Sequence, residues 1–414
     1  MKILLLNQVF YPDVVATAQY LTDLAAALKE RGHEVTVVSS RRAYEDPGTL
    51  FPPCESWRGV KIIRVFSTRF GKKAKWRRAA DFASFLFLCC GRLLFIPRHD
   101  VVVALTTPPL ISFIGAWRAK LWRAKFCYWV MDFNPDEAIA AGWLRADSFA
   151  AKFLERLSRF SLRQADKIVA LDRFMRDRIV AKGIPDKKIA VIPPWSQDGD
   201  VQFDADGREE FRTKHGLQDK FVVMYSGNHS PVHPLDTLIQ AADILHGEKH
   251  IVFAFIGGGS EFAKVRQWAA GKLQVLSLPY QPLNKLSASL SAGDSHVVVV
   301  GPAMIGLVHP CKIYNIFAVG APVVYVGPKP SHVTEIFDRM PDYPWVFARH
   351  GEAAALAEHI RRMAGEGKDR SRAWSQEMLA AFSKAILLPK MIASVEPGEK
   401  RFVASVNGAI SNKA

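Results

Sequence analysis

Short runs of consecutive apolar residues alternate along this chain with stretches in which apolar positions recur every three or four residues. The runs at 3–6, 35–38, 60–66, 101–106, 126–131, 167–171 and 188–193 are rich in Val, Ile and Leu and lack polar alternation, so they predict buried parallel strands. Between them lie helical patterns. Leu21, Leu24, Ala25 and Leu28 share one face of a helix over 17–31, with Thr17 as its cap and Gly32 as its stop. Further helices are expected over 148–163 and after Asp172. The alternation resumes with strands at 221–226, 251–256, 274–278 and 296–300 and helices at 236–245 and from 260. The fold class is therefore α/β, with two doubly wound halves facing each other across a cleft. The Pro-, Gly- and Asp-rich change at PPWSQDGDVQFDADG marks a linker over 197–207, which gives a first domain 1–196, a second 208–370 and a C-terminal segment 371–414. Beyond Pro389 the chain is expected to be loosely held.

One stretch concentrates candidate chemistry. Residues 306–327, GLVHPCKIYNIFAVGAPVVYVG, read as a loop, a short helix opened by Pro310 and Lys312, a stop at Gly320 and a buried strand. Ile313, Ile316 and Phe317 supply the apolar stripe. Ligands of open α/β sheets bind at the carboxyl ends of strands, where helix starts offer unpaired N–H groups to phosphate, and Lys312 adds a full charge in the first turn. FIGGGSEF also follows a strand, so Gly257, Gly258 and Gly259 can admit a nucleotide against the backbone.

Composition changes this picture in two places. The 414 residues, 49% hydrophobic and 23% charged, suit a two-domain globular chain, and the net charge of +15 calls for an acidic partner: nucleic acid, anionic lipid or phosphorylated substrate. No nucleic-acid module or interleaved aromatic and basic platform is present, so nucleic acid is not expected. The five cysteines form no CxxC pair and no metal-ligand spacing, so neither a metal nor a cofactor is expected, and the compartment reads as reducing. The N-terminus reads as a first strand rather than a signal peptide, which suggests a cytoplasmic protein.

The run RFGKKAKWRR is followed at once by FASFLFLCCGRLLFI. At roughly 15 residues the apolar part falls short of the ~20 a membrane span needs. It is either a core helix or one lying on a bilayer, with Lys72, Lys73, Lys75, Trp76, Arg77 and Arg78 at the headgroups. Asp132 closes the strand 126–131, where active sites gather; a helix cap is the other reading. Asp136 and Glu137 are expected to cap the next helix.

The segments AVGAPVV, with the helix before it, and MDFNPDEAIAAGWL resemble retaining nucleotide-sugar glycosyltransferases of family 4, which have the GT-B fold, particularly those that build bacterial surface polysaccharides. The opening βαβ unit with RGHEVTVVS is similar too. The resemblance implies a metal-independent transfer from a nucleotide-diphosphate sugar to a lipid-linked or growing saccharide, an oxocarbenium-like state, and a C-terminal helix over 371–382 packed back on the first domain. It places the acceptor-side acid at Asp132, the sugar contact at Leu307 and the ribose contact at Asn315. The diphosphate cations of the family correspond to Asn228, after Gly227, and His233. Neither is a permanent cation, and Leu307 cannot hydrogen-bond a sugar. The compensating donors are then His229, His233, Lys312 and the helix-start amides, and either the histidines are charged when donor is bound or the enzyme is slow or inactive. The expected catalytic set is Asp132, Lys312 and His233, on a protein peripheral to the inner face of the cell membrane. A nucleotide-sugar binding or scaffold protein, and a GT-B epimerase, remain open alternatives.

Overall fold

In the computed structural model, which describes all residues except 45, 47, 72–74, 197–200, 367–379 and 397–414, the strands form two separate sheets. The first holds β1 (Lys2–Leu6), β2 (Glu34–Ser40), β3 (Cys54–Trp57), β4 (Val60–Val65), β5 (Val101–Ala104), β6 (Lys125–Trp129), β7 (Lys167–Ala170) and β8 (Ile189–Val191), in spatial order β3-β4-β2-β1-β5-β6-β7-β8. The second holds β9 (Phe221–Asn228), β10 (Ile251–Gly258), β11 (Val275–Leu278), β12 (Ser295–Val299), β13 (Val323–Val326) and β14 (Trp345–Ala348), in order β11-β10-β9-β12-β13-β14. All pairings are parallel except β3 with β4. Strand order reverses between β1 and β5 in one sheet and between β9 and β12 in the other, and such reversals open crevices at the strands' carboxyl ends.

The helices are α1 (Ala16–Glu30), α2 (Lys75–Leu94), α3 (Ile111–Trp122), α4 (Asp136–Ala140), α5 (Phe149–Gln164), α6 (Arg173–Ala181), α7 (Ala205–Lys214), α8 (Asp236–Ile244), α9 (Phe262–Ala269), α10 (Leu286–Ser291), α11 (Lys312–Ala318), α12 (His332–Asp338), α13 (Ala353–Gly365) and α14 (Lys384–Val395). Asp172 caps α6 through its side chain, as the sequence predicts, and Ser148, expected as the first residue of α5, is its side-chain cap. Thr17 does not cap α1: the N-cap is Val15, without a side-chain bond, because the helix starts two residues before a Thr17 cap would allow. Asp136 and Glu137 do not cap α4 either. Pro135 takes that place and both acids lie in the first turn.

Two boundaries move. The expected linker runs to 207, but Asp204 accepts the Gly207 N–H at 2.8 Å and starts α7 at Ala205, so that aspartate and glycine mark a helix cap. Residues 197–200 of the linker and 371–379 of the expected C-terminal helix lie outside the described residues. The loose end expected beyond Pro389 is corrected for residues 390–396, while 397–414 lie outside the described residues. Pro389 sits inside α14, and Leu387, Leu388, Met391, Ile392 and Val395 are buried in the core of the first lobe. Lys384 pairs with Asp23, and Glu396 binds Arg31 at 2.9 Å and His33 at 2.8 Å. The apolar spacing of α14 is what holds it: one face covers the sheet beside α1 and β7.

The lobes touch along the loop 305–309. The Phe133 N–H donates to the Leu307 carbonyl at 2.9 Å, Arg178 Nε donates to the Ile305 carbonyl at 2.6 Å, and Arg173 pairs with Glu335. Leu307 is buried among first-lobe residues. A Cβ on Gly306, whose φ is 69°, would press on the Phe174 backbone at 2.6 Å, so only glycine lets the loop lie that close.

Candidate active site

The second sheet presents its site at the ends of β9 and β10. Gly227 and Gly257 have φ of 142° and 148° and lie side by side in register. A Cβ on Gly257 would collide with the Gly227 carbonyl, and one on Gly227 would meet Lys312 Nζ at 2.9 Å. The two glycines therefore let the strand ends close on each other and let the lysine lie flat on them. Gly258 is covered by the half-exposed ring of Tyr280, and Gly259 by the Asn228 side chain and the His229 carbonyl, so this glycine run packs against its neighbours as well as lining the site.

Lys312 opens α11. Its Nζ is buried, lies 3.6 Å from the centre of the Tyr225 ring and has no hydrogen-bond partner. Burial lowers its pKa to about 7. The helix itself spans only seven residues, so the positive end expected there is weak beside the lysine's own charge. Gly320 ends α11 as predicted, with φ 64° and its N–H on the Phe317 carbonyl at 3.0 Å. Asn315 stands on α11 one turn beyond Lys312, half-buried.

The histidines, expected to be charged once donor is bound, are neutral in the ligand-free protein. His229 is fully buried, with Nδ1 3.0 Å from the Gly227 carbonyl and Tyr225, Phe255 and Phe262 around the ring. Burial, then the Lys312 charge, lowers its pKa to about 4. It is a neutral strut between β9 and β10. His233 has Nδ1 2.7 Å from the Val299 carbonyl, and burial and Lys312 lower its pKa to about 3. A carbonyl can only accept, so Nδ1 carries the proton and Nε2 offers a lone pair. Neither histidine is a cation in the ligand-free protein; among the site residues named from sequence, Lys312 is the one that brings positive charge to the second-lobe site.

Across from α11 stands the end of β6. Asp132 is held by its N–H on Thr106 Oγ1 at 3.3 Å, and the pKa of the Cys311 thiol, beside Lys312, is raised by burial and then by the nearby Asp132 charge. Burial raises the pKa of Asp132, and the Arg78 charge partly offsets this. Glu137, which sequence reasoning assigned to a cap, is raised by burial and then by Asp132, while Asn134 donates to it at 3.2 Å. Two carboxyl groups and an arginine thus lie within electrostatic reach of one another, a grouping the sequence hides because Arg78 precedes Asp132 by two strands. Arg78, one of the cations expected at the headgroups, is exposed, and its field also reaches these acids. Of that group, Lys72 and Lys73 lie outside the described residues, as does the side chain of Lys75. Trp76 is exposed, with Arg77 against its ring. Among the described residues no helix is long and apolar enough to cross a membrane.

Buried behind the site, where the lobes meet, Asp172, His309 and His332 form a cluster whose ligand atoms lie within 4.8 Å of one another, the set among the described residues able to hold a metal.

Residues 16–195 match the family described as "Glycosyl transferase 4-like domain". The chain is similar to a protein described as a colanic acid biosynthesis glycosyl transferase, WcaI of Escherichia coli (strain K12), with 24% identity over 82% of this chain and 87% of that one. It is also similar to a protein described as a glycosyltransferase, WbjE of Pseudomonas aeruginosa, with 28% identity over 58% of this chain and 60% of that one. The crystal structure of HepE from Anabaena with UDP-glucose superposes with a TM-score of 0.67 at 15% identity, over 95% of this chain and 100% of that one, and so shares the fold. The chain thus matches a glycosyl transferase 4-like domain over residues 16–195, under half of its length; with these relatives it is a glycosyltransferase, and its two lobes have the GT-B fold.

Proposed function

We propose that the chain moves a sugar, with retention of configuration, from a nucleotide-diphosphate sugar to a lipid-linked or growing saccharide in surface-polysaccharide synthesis, without a metal ion on the diphosphate. The observation that carries this is the buried, unpartnered ammonium of Lys312, lying on Gly227 where the β9 and β10 ends meet. A buried cation without a counter-ion is unfavourable, and a diphosphate supplies the missing charge. As the glycosidic bond to the donor breaks, charge builds on the leaving phosphate, and Lys312 is already placed to meet it. Asn315 reaches ribose hydroxyls, and His233 becomes a donor only by taking a proton when the diphosphate arrives. Asp132, with Glu137 and Arg78, orients the acceptor hydroxyl from the facing lobe. The WcaI and HepE names support this reading through colanic acid and UDP-glucose. The protein works at the inner face of the cell membrane, held by the outer side of α2.

Calorimetric titration of UDP into wild type and Lys312→Met tests the placement. Wild type binds, and the variant loses about a hundredfold in affinity, near 2.7 kcal/mol for a charge-assisted contact in a buried site. Equal affinities would remove the diphosphate from Lys312.

A further inference from the structure

Asp172 caps α6 in the first lobe, while His309 precedes α11 and His332 opens α12 in the second. All three are buried. His309 Nδ1 lies 2.8 Å from Asp172 Oδ2, and His332 Nδ1 lies 3.7 Å from the same oxygen. The two imidazoles stack with centres 4.2 Å apart. Only part of this is explained by hydrogen bonding. His309 is satisfied on both sides, since Nε2 meets Tyr314 Oη at 2.6 Å. His332 is not: both its ring nitrogens are buried without a partner, in a residue 4% exposed. A polar ring in that state is costly unless something occupies its lone pair.

We propose that Asp172, His309 and His332 bind one zinc ion that ties the two lobes together. Zinc takes nitrogen and carboxylate ligands at ~2.0–2.2 Å, which sets tetrahedral ligand atoms about 3.4 Å apart. The observed 2.8 and 3.7 Å separations bracket that spacing, and none in the cluster exceeds 4.8 Å. Two imidazoles and one carboxylate suit zinc better than magnesium or calcium, which prefer all-oxygen shells. The supporting contacts are in place. Asp172 Oδ1 is fixed by the Met175 N–H at 2.8 Å, and when His309 Nδ1 turns from donor to ligand its proton moves to Nε2 and is donated to Tyr314 Oη. Burial leaves His332 neutral, with its lone pair available, and although burial alone would raise Asp172, the His309 bond and the two imidazoles keep it ionised. Three protein ligands leave a fourth position. The ion joins one first-lobe residue to two second-lobe residues, three positions from Lys312, so it sets the lobe spacing rather than the transfer chemistry.

The test uses the untagged full chain, stripped with chelator, equilibrated with zinc sulfate and gel-filtered before elemental analysis. Wild type retains about one zinc per chain and its melting temperature rises with zinc. His332→Phe keeps the ring's shape without its nitrogens, so in metal-free buffer it melts no lower than wild type, yet it retains no zinc and shows no zinc-dependent rise. Asp172→Asn, which still caps α6, loses zinc as well. Wild type holding less than a tenth of an equivalent, or His332→Phe holding a full one, would overturn the site. Should a variant fail to fold, cobalt added to wild type decides: four-coordinate visible bands support the site, and the spectrum of hydrated cobalt alone refutes it.

Discussion

Lys312 carries two opposed effects, and separating them is the sharpest test at the residue scale. Its pKa of about 7, against the ordinary 10.5, means the folded ligand-free chain pays for burying the charge. The unfolded chain binds more protons between pH 7 and 10.5, so this term makes the ligand-free protein more stable as pH rises through that window. Lys312→Met removes the penalty. The variant should melt several degrees higher than wild type at pH 6.5 by differential scanning fluorimetry, while binding UDP about a hundredfold less tightly. In wild type the charged lysine is the form that binds diphosphate, so UDP affinity should hold below pH 7 and fall toward a tenfold loss per unit above it. Calorimetry from pH 6 to 9 would show this slope, and the variant should lack it. Asp132→Asn makes the complementary prediction: kcat for sugar transfer falls at least a hundredfold with UDP affinity unchanged. Sequence reasoning reached Asp132 and Lys312 because a carboxylate at a strand end and a lysine at a helix start are local signals. It expected charge on His229 and His233 once donor is bound, and it could not see that burial and the Lys312 charge hold both neutral without donor; it missed the grouping of Glu137 with Arg78 because those two are far apart in sequence.

Among the elements, those buried on both faces were legible and those defined by one partner were not. The parallel strands announce themselves as unbroken apolar runs, and β1, β2, β5 and β6 fall within a residue or two of the expected ranges. The edge strand β3 has no such run: CESW is polar and half-exposed, and pairs on one side with β4 in the antiparallel sense. The helix α14 was obscured by Pro389, a residue that ordinarily ends a helix, yet tertiary burial on α1 and β7 keeps it folded. That burial gives a measurable consequence. Met391 is fully enclosed, so Met391→Ala should cost about 2–5 kcal/mol in urea denaturation, as a cavity in the first-lobe core rather than a frayed end. A loss within experimental error would return α14 to the status of a loose tail.

Seen as a whole molecule, the chain leaves one side of α2 unexplained by its own packing. Phe85, Cys89 and Leu93 bury one face, while Trp76, Phe87, Leu94 and Phe95 on the helix's other side and at its end stay 55–81% exposed. The sequence posed a core helix and a surface helix as alternatives; the structure has one face of each kind. Arg77, Arg92 and Arg98 border the exposed side, in a chain of net charge +15. Apolar rings flanked by cations fit an anionic bilayer, where each basic residue near the surface contributes about 1 kcal/mol and the rings add burial in the acyl boundary. Because the electrostatic part is screened while the apolar part is not, raising salt from about 0.1 to about 0.5 M should weaken binding to phosphatidylglycerol vesicles without abolishing it. The double substitution Phe87→Asp with Phe95→Asp should reduce vesicle co-sedimentation at least tenfold and leave UDP affinity intact, since both are exposed residues of the first lobe whereas the Lys312 Nζ is buried in the second. Retained sedimentation would mean that α2 faces something other than lipid, and the acceptor would then have to reach Asp132 from solution.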